Sequence, residues 1–253
     1  MCTRRQLLFT GLAVRGSIAH AQAESLVIAT GELPPLVSEQ PAFSFLGSLF
    51  PEIGKLMGVR FEFRFMPWKR CELAVERHEA LAAIPYVPTP ERELKFSFSD
   101  RLYLKQTKFF AYHPYGQTRI IPFETLSNLK GLRIGGVRGY FYEQMFMEAG
   151  LQVEWVASEE QSLRQLRQGR IDLAAALDFV GWQLIRHTFP ADEVARFSTL
   201  SKALHTGANY LMTSRTHPGN PRLLLLFNTA LRQVKDNGSF QRTAAAHGLV
   251  LPP

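Results

Sequence analysis

The sequence contains little cysteine, no long run of lysine and arginine, and no apolar segment long enough to cross a membrane. Only 2 of its 253 residues are cysteine, which excludes a small protein held together by disulfides. The apolar share of 46% and the charged share of 20% exclude a disordered chain. The chain is therefore predicted to be globular, with one large domain or two modest ones.

The net charge of +7 comes partly from an N-terminal stretch without acidic residues. Arg4, Arg5 and Arg15 lie in that stretch, so residues 24–253 carry 26 basic and 22 acidic side chains, a net charge of +4. A mild excess without a basic run does not indicate a nucleic-acid-binding face. We expect no nucleic-acid partner.

Residues 1–23 are typical of an export signal. Arg4 and Arg5 form a positive end, Leu7–Val14 an apolar stretch, and Ala21–Ala23 a cleavage site of the A-x-A type. The apolar stretch is far shorter than the roughly 20 residues that span a bilayer. General and twin-arginine export both fit, and a disordered or helical N-terminus is the alternative. We expect a soluble periplasmic protein, cleaved at this site.

Familiar catalytic motifs are missing from the sequence. It has no G-x-S-x-G, H-E-x-x-H or C-x-x-C motif, and its 7 histidines lack the close spacing of metal ligands. Cleavage of the signal would leave Cys71 as the one cysteine, and its helical pattern favours a small core residue over a reactive thiol. We expect no cofactor, no metal and no enzymatic activity.

Short apolar runs alternate with amphipathic segments along the chain. Leu26–Ala29 predicts a buried strand, and apolar residues at helical spacing predict a helix over 49–57, capped by Ser48 and ended by Gly58. Phenylalanines then alternate with charged residues over 61–65, which predicts a half-buried strand.

The same alternation continues to the C-terminus. Further helices are predicted over 68–77, 142–149, 158–169, 179–187 and 220–234, and further strands over 81–84, 132–137, 153–156 and 171–177. Strands that alternate with helices indicate an α/β protein with a mainly parallel sheet and helices on its faces.

Two β-like segments predict how the chain divides. If Phe109–Tyr112 and Ala208–Met212 both cross between two α/β units, the first and last parts of the chain build one lobe and the middle builds the other. The predicted lobes are lobe I, residues 24–110 and 211–253, and lobe II, residues 111–210.

Three sets of motifs, in this order, resemble a known family: Gly31-Glu32-Leu33-Pro34-Pro35; Pro67-Trp68-Lys69-Arg70, Thr89-Pro90-Glu91-Arg92 and Phe96-Ser97-Phe98-Ser99-Asp100; and residues 129–139 with Gly169-Arg170-Ile171-Asp172. Over about residues 26–240 the chain resembles the bacterial solute-binding proteins of family 3, the polar amino acid type. The resemblance implies a two-lobed, type II periplasmic-binding-protein-like fold with two interdomain crossover strands. It also implies a monomeric receptor that captures a small anionic or amino-acid-like solute and delivers it to the membrane permease of an ABC transporter.

Arg92 is the position that the family uses for the carboxylate of the solute. A guanidinium offers two parallel N–H donors, which match the two oxygens of a carboxylate. The alternative for Arg92 is a surface ion pair with Glu91 or Glu93.

Six further residues are candidates for the solute site. Trp68 and Tyr86 would wall a cleft with aromatic faces, with core packing as the alternative for Trp68. Gly139 and Tyr140 follow a glycine-rich turn between a strand and a helix, which is either an anion site or a plain tight turn. Glu32 would shape the rim, unless it belongs only to a turn. The last candidate is Asp178.

The sequence also departs from the family pattern. Val87 stands where a hydroxyl residue usually holds the ammonium of an amino acid, and Asp178 lies one residue late for the acid that assists it. Tyr140 replaces a small hydroxyl residue. The anion half of the site is thus better kept than the cation half, which favours a carboxylate solute without a free α-ammonium, or a larger, more apolar one.

Two other functions stay open. One is an exported sensor domain that binds its ligand for a signalling partner. The other is a dehydratase-like enzyme on the same fold, with Glu32 or Asp178 as a general acid or base.

Overall fold

The computed structural model describes residues 24–114 and 120–251. The predicted signal, residues 1–23, lies outside the described residues. The strands are β1 Glu24–Thr30, β2 Val59–Phe65, β3 Ala82–Tyr86, β4 Phe96–Phe98, β5 Tyr103–Tyr112, β6 Arg133–Val137, β7 Gln152–Val156, β8 Leu173–Leu177, β9 Phe197–Thr199 and β10 His205–Ser214. The helices are α1 Phe45–Met57, α2 Trp68–Glu76, α3 Pro90–Lys95, α4 Glu143–Glu148, α5 Glu159–Arg167, α6 Asp178–Thr188, α7 Ala191–Val194, α8 Asn220–Asp236 and α9 Ser239–Ala246.

The strands form a mixed sheet in the order β2-β1-β3-β10-β5-β8-β6-β7, with β4 also paired to β10 and β9 to β5. The pairs β1–β2, β1–β3, β6–β7 and β6–β8 are parallel, whereas every pair that includes β5 or β10 is antiparallel. The predicted α/β class is confirmed, and the parallel pairing lies within each half of the sheet.

Strands β5 and β10 connect the two halves of the sheet. Residues 103–107 of β5 pair with 205–209 of β10, while 210–214 of β10 pair with β3 and β4. Residues 107–112 of β5 pair instead with β8 and β9. We call β1–β4 with α1–α3, α8 and α9 the first section, and β6–β9 with α4–α7 the second section. The two β-like segments of the sequence, around 109–112 and 208–212, lie in these connecting strands.

Phenylalanines fill the core of the first section. Phe45 packs edge-on against Phe240 with ring centroids 5.3 Å apart, and Phe50 contacts Phe227 at 5.6 Å. All four side chains are fully buried, and they come from α1, α8 and α9. These helices cover one face of the sheet, because their apolar sides are removed from water there.

Helix α1 shows where the prediction from sequence is right and where it is wrong. Gly58 ends the helix in the left-handed conformation, with φ of 71°, as predicted. The predicted cap is wrong: the Ser44 hydroxyl accepts a hydrogen bond from the Gly47 amide, while Ser48 contacts His247 instead. The helix begins earlier because the buried Phe45 and Leu46 extend its apolar face.

Across residues 24–114 and 120–251 we find no helix whose length and apolar character would let it cross a bilayer. Most other predicted elements agree with the structure to within a few residues. Strand β2 alternates half-buried and exposed positions, and α8 begins at Asn220 with Pro221 in its first turn.

Candidate functional site

A cavity lies where the two sections meet beside the connecting strands. Its volume is about 40 Å³, and we call it the central cavity. That is room for a few water molecules, whereas pockets for small solutes measure roughly 300–1,000 Å³. The lining residues are Leu33, Trp68, Pro85, Tyr86, Val87 and Arg92 from the first section, Gly139, Tyr140, Phe141 and Leu177 from the second, and Lys105, Thr107 and Asn209 from β5 and β10.

Five of the seven candidate residues from the sequence line this cavity together. They are Arg92, Tyr86, Trp68, Gly139 and Tyr140. Their positions in the sequence are up to 72 residues apart, so the fold, and not local spacing, brings them to one place.

The other two candidates lie elsewhere. Glu32 lines a separate groove of about 320 Å³, whose opposite wall includes Gln183 and His187 of α6. Its carboxylate accepts a hydrogen bond from the Glu39 amide, so Glu32 also holds its own turn. Asp178 is not among the residues that line either space, and its carboxylate pairs with Lys108 at 3.0 Å.

Arg92 is buried and donates hydrogen bonds to groups of both sections. Its guanidinium donates to the Val87 carbonyl at 2.9 Å, to the Glu72 carboxylate at 2.7 Å and to the Gly139 carbonyl at 2.8 Å. It also lies over the Tyr86 ring, 4.8 Å from the centroid. Its carboxylate partner is therefore Glu72 of α2, and not one of its neighbours in sequence.

Local structure fixes the backbone of Arg92. Thr89 caps α3 by accepting a hydrogen bond from the Arg92 amide at 3.3 Å, and Pro90 occupies the first turn. Both residues favour a helix start, so the T-P-E-R motif directs the arginine from a short, rigid helix toward the central cavity.

Three contacts join the two sections next to the cavity. Besides the bond from Arg92 to Gly139, the rings of Trp68 and Tyr140 lie 5.8 Å apart, and Lys69 forms an ion pair with Glu143 at 3.1 Å. The arrangement is closed. A solute of amino-acid size needs these contacts to separate before it can enter.

The contacts of Trp68 and of the glycine-rich turn fit both of the alternatives that the sequence left open for each. Trp68 packs against Tyr86, with centroids 5.9 Å apart, and at the same time lines the cavity. Gly139 has φ of 81°, which favours glycine, and its amide donates to the Glu143 carboxylate at 2.9 Å. The turn thus binds a carboxylate, although that carboxylate belongs to the chain itself.

Sequence reasoning missed three polar residues of the cavity, Lys105, Thr107 and Asn209. Lys105 is only 6% exposed. Its ammonium donates to the Thr107 hydroxyl at 3.1 Å and lies 4.5 Å from the centroid of the Phe141 ring. The missed signal is that 105 and 107 are alternate positions of one strand, which place two polar side chains on the same face.

A buried acid lies close enough to Lys105 to affect its charge. Burial raises the pKa of Glu159 to about 8, against the effects of the Leu177 amide, the Lys105 ammonium and the Tyr140 hydroxyl. Burial also lowers the pKa of Lys105 to about 8, with Glu159 acting in the opposite direction. Both shifts follow from the cost of removing a charge from water.

Replacing Glu159 with glutamine is expected to remove a loss of stability that the wild type undergoes as pH rises. The unfolded carboxyl has its ordinary pKa of 4.5, whereas the folded one has a pKa of about 8. Its stabilising contribution is complete below pH 4.5 and is lost as pH rises through 8, by up to about 1.4 kcal/mol per pH unit. Glutamine does not titrate and still offers an oxygen to the Leu177 amide.

Thermal unfolding between about pH 5 and about pH 8 measures this effect. The difference in Tm, Glu159→Gln minus wild type, should increase by several degrees from about pH 5 to about pH 8, because 1 kcal/mol corresponds to about 2–4 °C. Glu160→Gln, which changes an exposed neighbour paired with Arg164, is the control and should follow the wild type. If Tm depends on pH in the same way for Glu159→Gln and for the wild type, burial does not raise the pKa of Glu159.

The described residues offer little for metal or thiol chemistry. Within residues 24–114 and 120–251, no group of three or more His, Cys, Asp or Glu side chains is placed to hold a metal ion. Cys71 is buried, and burial raises the pKa of its thiol to about 12, so the reactive thiolate is scarce.

Comparison with known proteins identifies a family whose model matches most of the chain. The family is described as bacterial extracellular solute-binding proteins, family 3, and the match covers residues 45–249. A search of curated proteins finds no match.

Solved structures of similar fold are numerous. The GluR0 ligand-binding core from Nostoc punctiforme, in complex with L-glutamate, has a TM-score of 0.72 and 18% identity over 87% of this chain and 97% of its own. A histidine kinase sensor domain with similarity to periplasmic binding proteins reaches 0.77, at 18% identity over 91% and 99%. An ancestral arginine-binding protein bound to arginine reaches 0.72, at 22% identity over 87% and 96%. These similarities show the type II periplasmic-binding-protein fold.

Proposed function

Because this chain belongs to the bacterial extracellular solute-binding proteins of family 3, we propose that it captures a small solute with a carboxylate group between its two sections. The solute is an amino acid or a related organic anion. We further propose that the protein is monomeric, is exported to the periplasm after cleavage near Ala23, and delivers the solute to the permease of an ABC importer.

The observation that carries this proposal is the position of Arg92. It is buried at the central cavity and donates a hydrogen bond across the cleft to Gly139 of the other section. Opening the cleft releases that donor, and a carboxylate that enters can take the place of the Gly139 carbonyl. An arginine–carboxylate pair, with both partners charged, is stronger than the hydrogen bond from the same guanidinium to an uncharged carbonyl that it replaces.

The proposed motion uses the connecting strands as hinges. Lobe I, residues 24–110 and 211–253, and lobe II, residues 111–210, would rotate about β5 and β10. Opening breaks the Trp68–Tyr140 and Lys69–Glu143 contacts, and a solute that contacts both lobes shifts the population back to the closed form.

A ligand screen tests the proposed function. Purified protein without residues 1–23 is heated with single amino acids, dicarboxylates and small peptides, and its Tm is recorded. A true solute at about 100 times its Kd stabilises the fold by about 2.7 kcal/mol, or roughly 5–10 °C. No stabilisation by any of these classes would contradict the proposal.

The same samples address the two other functions. A receptor returns its solute unchanged, so NMR spectra of the probe after long incubation should show no product, whereas a dehydratase would consume it. Transport and sensing differ in the cell: deleting the gene should abolish uptake of the labelled solute. Loss of a transcriptional response with uptake intact would indicate a sensor instead.

A further inference from the structure

The sequence pattern assigns two hydrogen-bond donors to an anionic solute, the Arg92 guanidinium and the Gly139 amide. Both already contact carboxylates of the chain itself. Arg92 is neutralised by Glu72, with 2.7 Å between nitrogen and oxygen. The Gly139 amide donates to Glu143 at 2.9 Å, and the same carboxylate pairs with Lys69 at 3.1 Å. In the closed form, therefore, neither group leaves an unbalanced positive charge.

Lys105 is a second buried cation in the same cavity, and it has no such balance. Its contacts are the Thr107 hydroxyl at 3.1 Å and the face of the Phe141 ring at 4.5 Å, neither of which carries a full negative charge. Within residues 24–114 and 120–251, no carboxylate lies within 4.0 Å of its ammonium. A buried ammonium without a counter-ion is costly, and titratable groups perturbed in this way cluster at functional sites.

The titratable groups around Lys105 do not supply the missing charge at neutral pH. Glu159 of α5 is buried, accepts a hydrogen bond from the Leu177 amide, and has a pKa raised to about 8, so it is mostly protonated. Burial and the Lys105 ammonium lower the pKa of His205 on β10, which keeps that imidazole neutral. The tyrosines nearby have pKa values raised by burial and are neutral as well.

We propose that Lys105 determines the specificity of the central cavity by pairing with an anionic group that the solute carries in addition to the carboxylate held by Arg92. This inference rests on the proposed function. Asn209 lines the same cavity, is 4% exposed, and its Oδ1 has no hydrogen-bond partner among the described residues. That oxygen can accept a hydrogen bond from an ammonium or a hydroxyl of the solute. The solute class is acidic amino acids and small dicarboxylates.

A pair of probes of equal size isolates the effect of Lys105. L-Glutamate and L-glutamine differ in shape very little, but only L-glutamate carries a second negative charge. By calorimetry, the wild type should bind L-glutamate at least about tenfold more tightly than L-glutamine, and L-arginine most weakly because Lys105 repels its side chain. In Lys105→Met the ratio of the two Kd values should fall to about one, with the Kd for L-glutamine little changed.

Matched variants separate this effect from damage to the fold. Lys108→Met removes a lysine of the same strand that pairs with Asp178 and does not line the cavity, so it should keep the wild-type ratio. Methionine removes the cost of burying an ammonium that has no counter-ion, so Lys105→Met should unfold no earlier than the wild type. Lys105→Gln is a second variant that keeps a polar group and removes only the charge.

Each outcome decides between the possibilities. Binding of succinate supports the inference, whether or not L-glutamate also binds. It shows that the site accepts a dicarboxylate without an α-ammonium. A wild type that prefers L-glutamine or L-arginine, or a preference for L-glutamate that survives Lys105→Met and Lys105→Gln, overturns this inference alone. Failure of all four probes to bind overturns this inference and leaves the proposed function standing, unless the wider ligand screen also finds no solute.

Discussion

Replacing Arg92 with alanine should weaken the binding of L-glutamate, L-glutamine and L-arginine alike, by about ten- to a hundredfold for whichever of them the wild type binds. All three carry the same α-carboxylate. A hydrogen bond to a charged partner contributes about 1.5–3 kcal/mol, and about 1.4 kcal/mol corresponds to a factor of ten in Kd. The uniform loss distinguishes Arg92 from Lys105, whose loss should weaken the binding of the acidic probes alone.

Two further variants make the Arg92 result specific. Arg92→Lys keeps the charge but loses the planar pair of donors, so its affinity should lie between those of alanine and the wild type. Because alanine leaves the Glu72 carboxylate without its partner, the double variant Arg92→Ala with Glu72→Gln checks that the loss does not come from an unpaired charge. Arg133→Ala removes a guanidinium that pairs with Asp172 outside the cavity and should change no affinity.

Adding a single methyl group at Gly139 should hold the two sections apart. A Cβ atom there would lie 2.8 Å from the Trp68 Cβ and 2.9 Å from the Lys69 amide nitrogen, and neither atom can rotate away. Overpacking of this kind costs about 1–3 kcal/mol, and here it acts only on the closed form. Gly139→Ala should therefore bind its solute about tenfold more weakly or worse, and its radius of gyration by X-ray scattering in the presence of the solute should exceed that of the wild type.

The positive φ of Gly139 needs a control of its own. Alanine in the left-handed region costs about 1–2 kcal/mol whether the cleft is open or closed. Gly131 has a similar φ of 86°, but a Cβ atom there would have nothing within 4 Å. Gly131→Ala should thus lose a comparable amount of stability and keep both the affinity and the radius of gyration of the wild type. An unchanged radius in Gly139→Ala would show that the contact with Trp68 does not control closure.

The sequence predicts well those features that depend on residues close together along the chain. The alternation over 61–65, the left-handed Gly58 and the start of α3 before Arg92 all depend on residues within one or two turns. The motifs that contain Trp68, Arg92 and Gly139 therefore gave the correct elements, and the fold brings those three residues to one cavity.

What the sequence did not predict depends on contacts between distant elements. Glu72 meets Arg92 only because the fold brings α2 and α3 within reach of two ion pairs, Glu72–Arg92 and Glu76–Lys95, and no spacing rule relates Glu72 to Arg92. Lys105 was missed because a lysine in a polar stretch of strand is usually solvated. Its burial becomes visible only when β10 and the Phe141 ring cover it.

A crystal structure with the tightest-binding compound of the screen tests the central claim most directly. We expect the compound between the two sections, with its carboxylate at about 2.7–2.9 Å from the Arg92 guanidinium and further contacts to Lys105. A compound bound elsewhere, with Arg92 still held by Glu72 and the Gly139 carbonyl, would contradict the account.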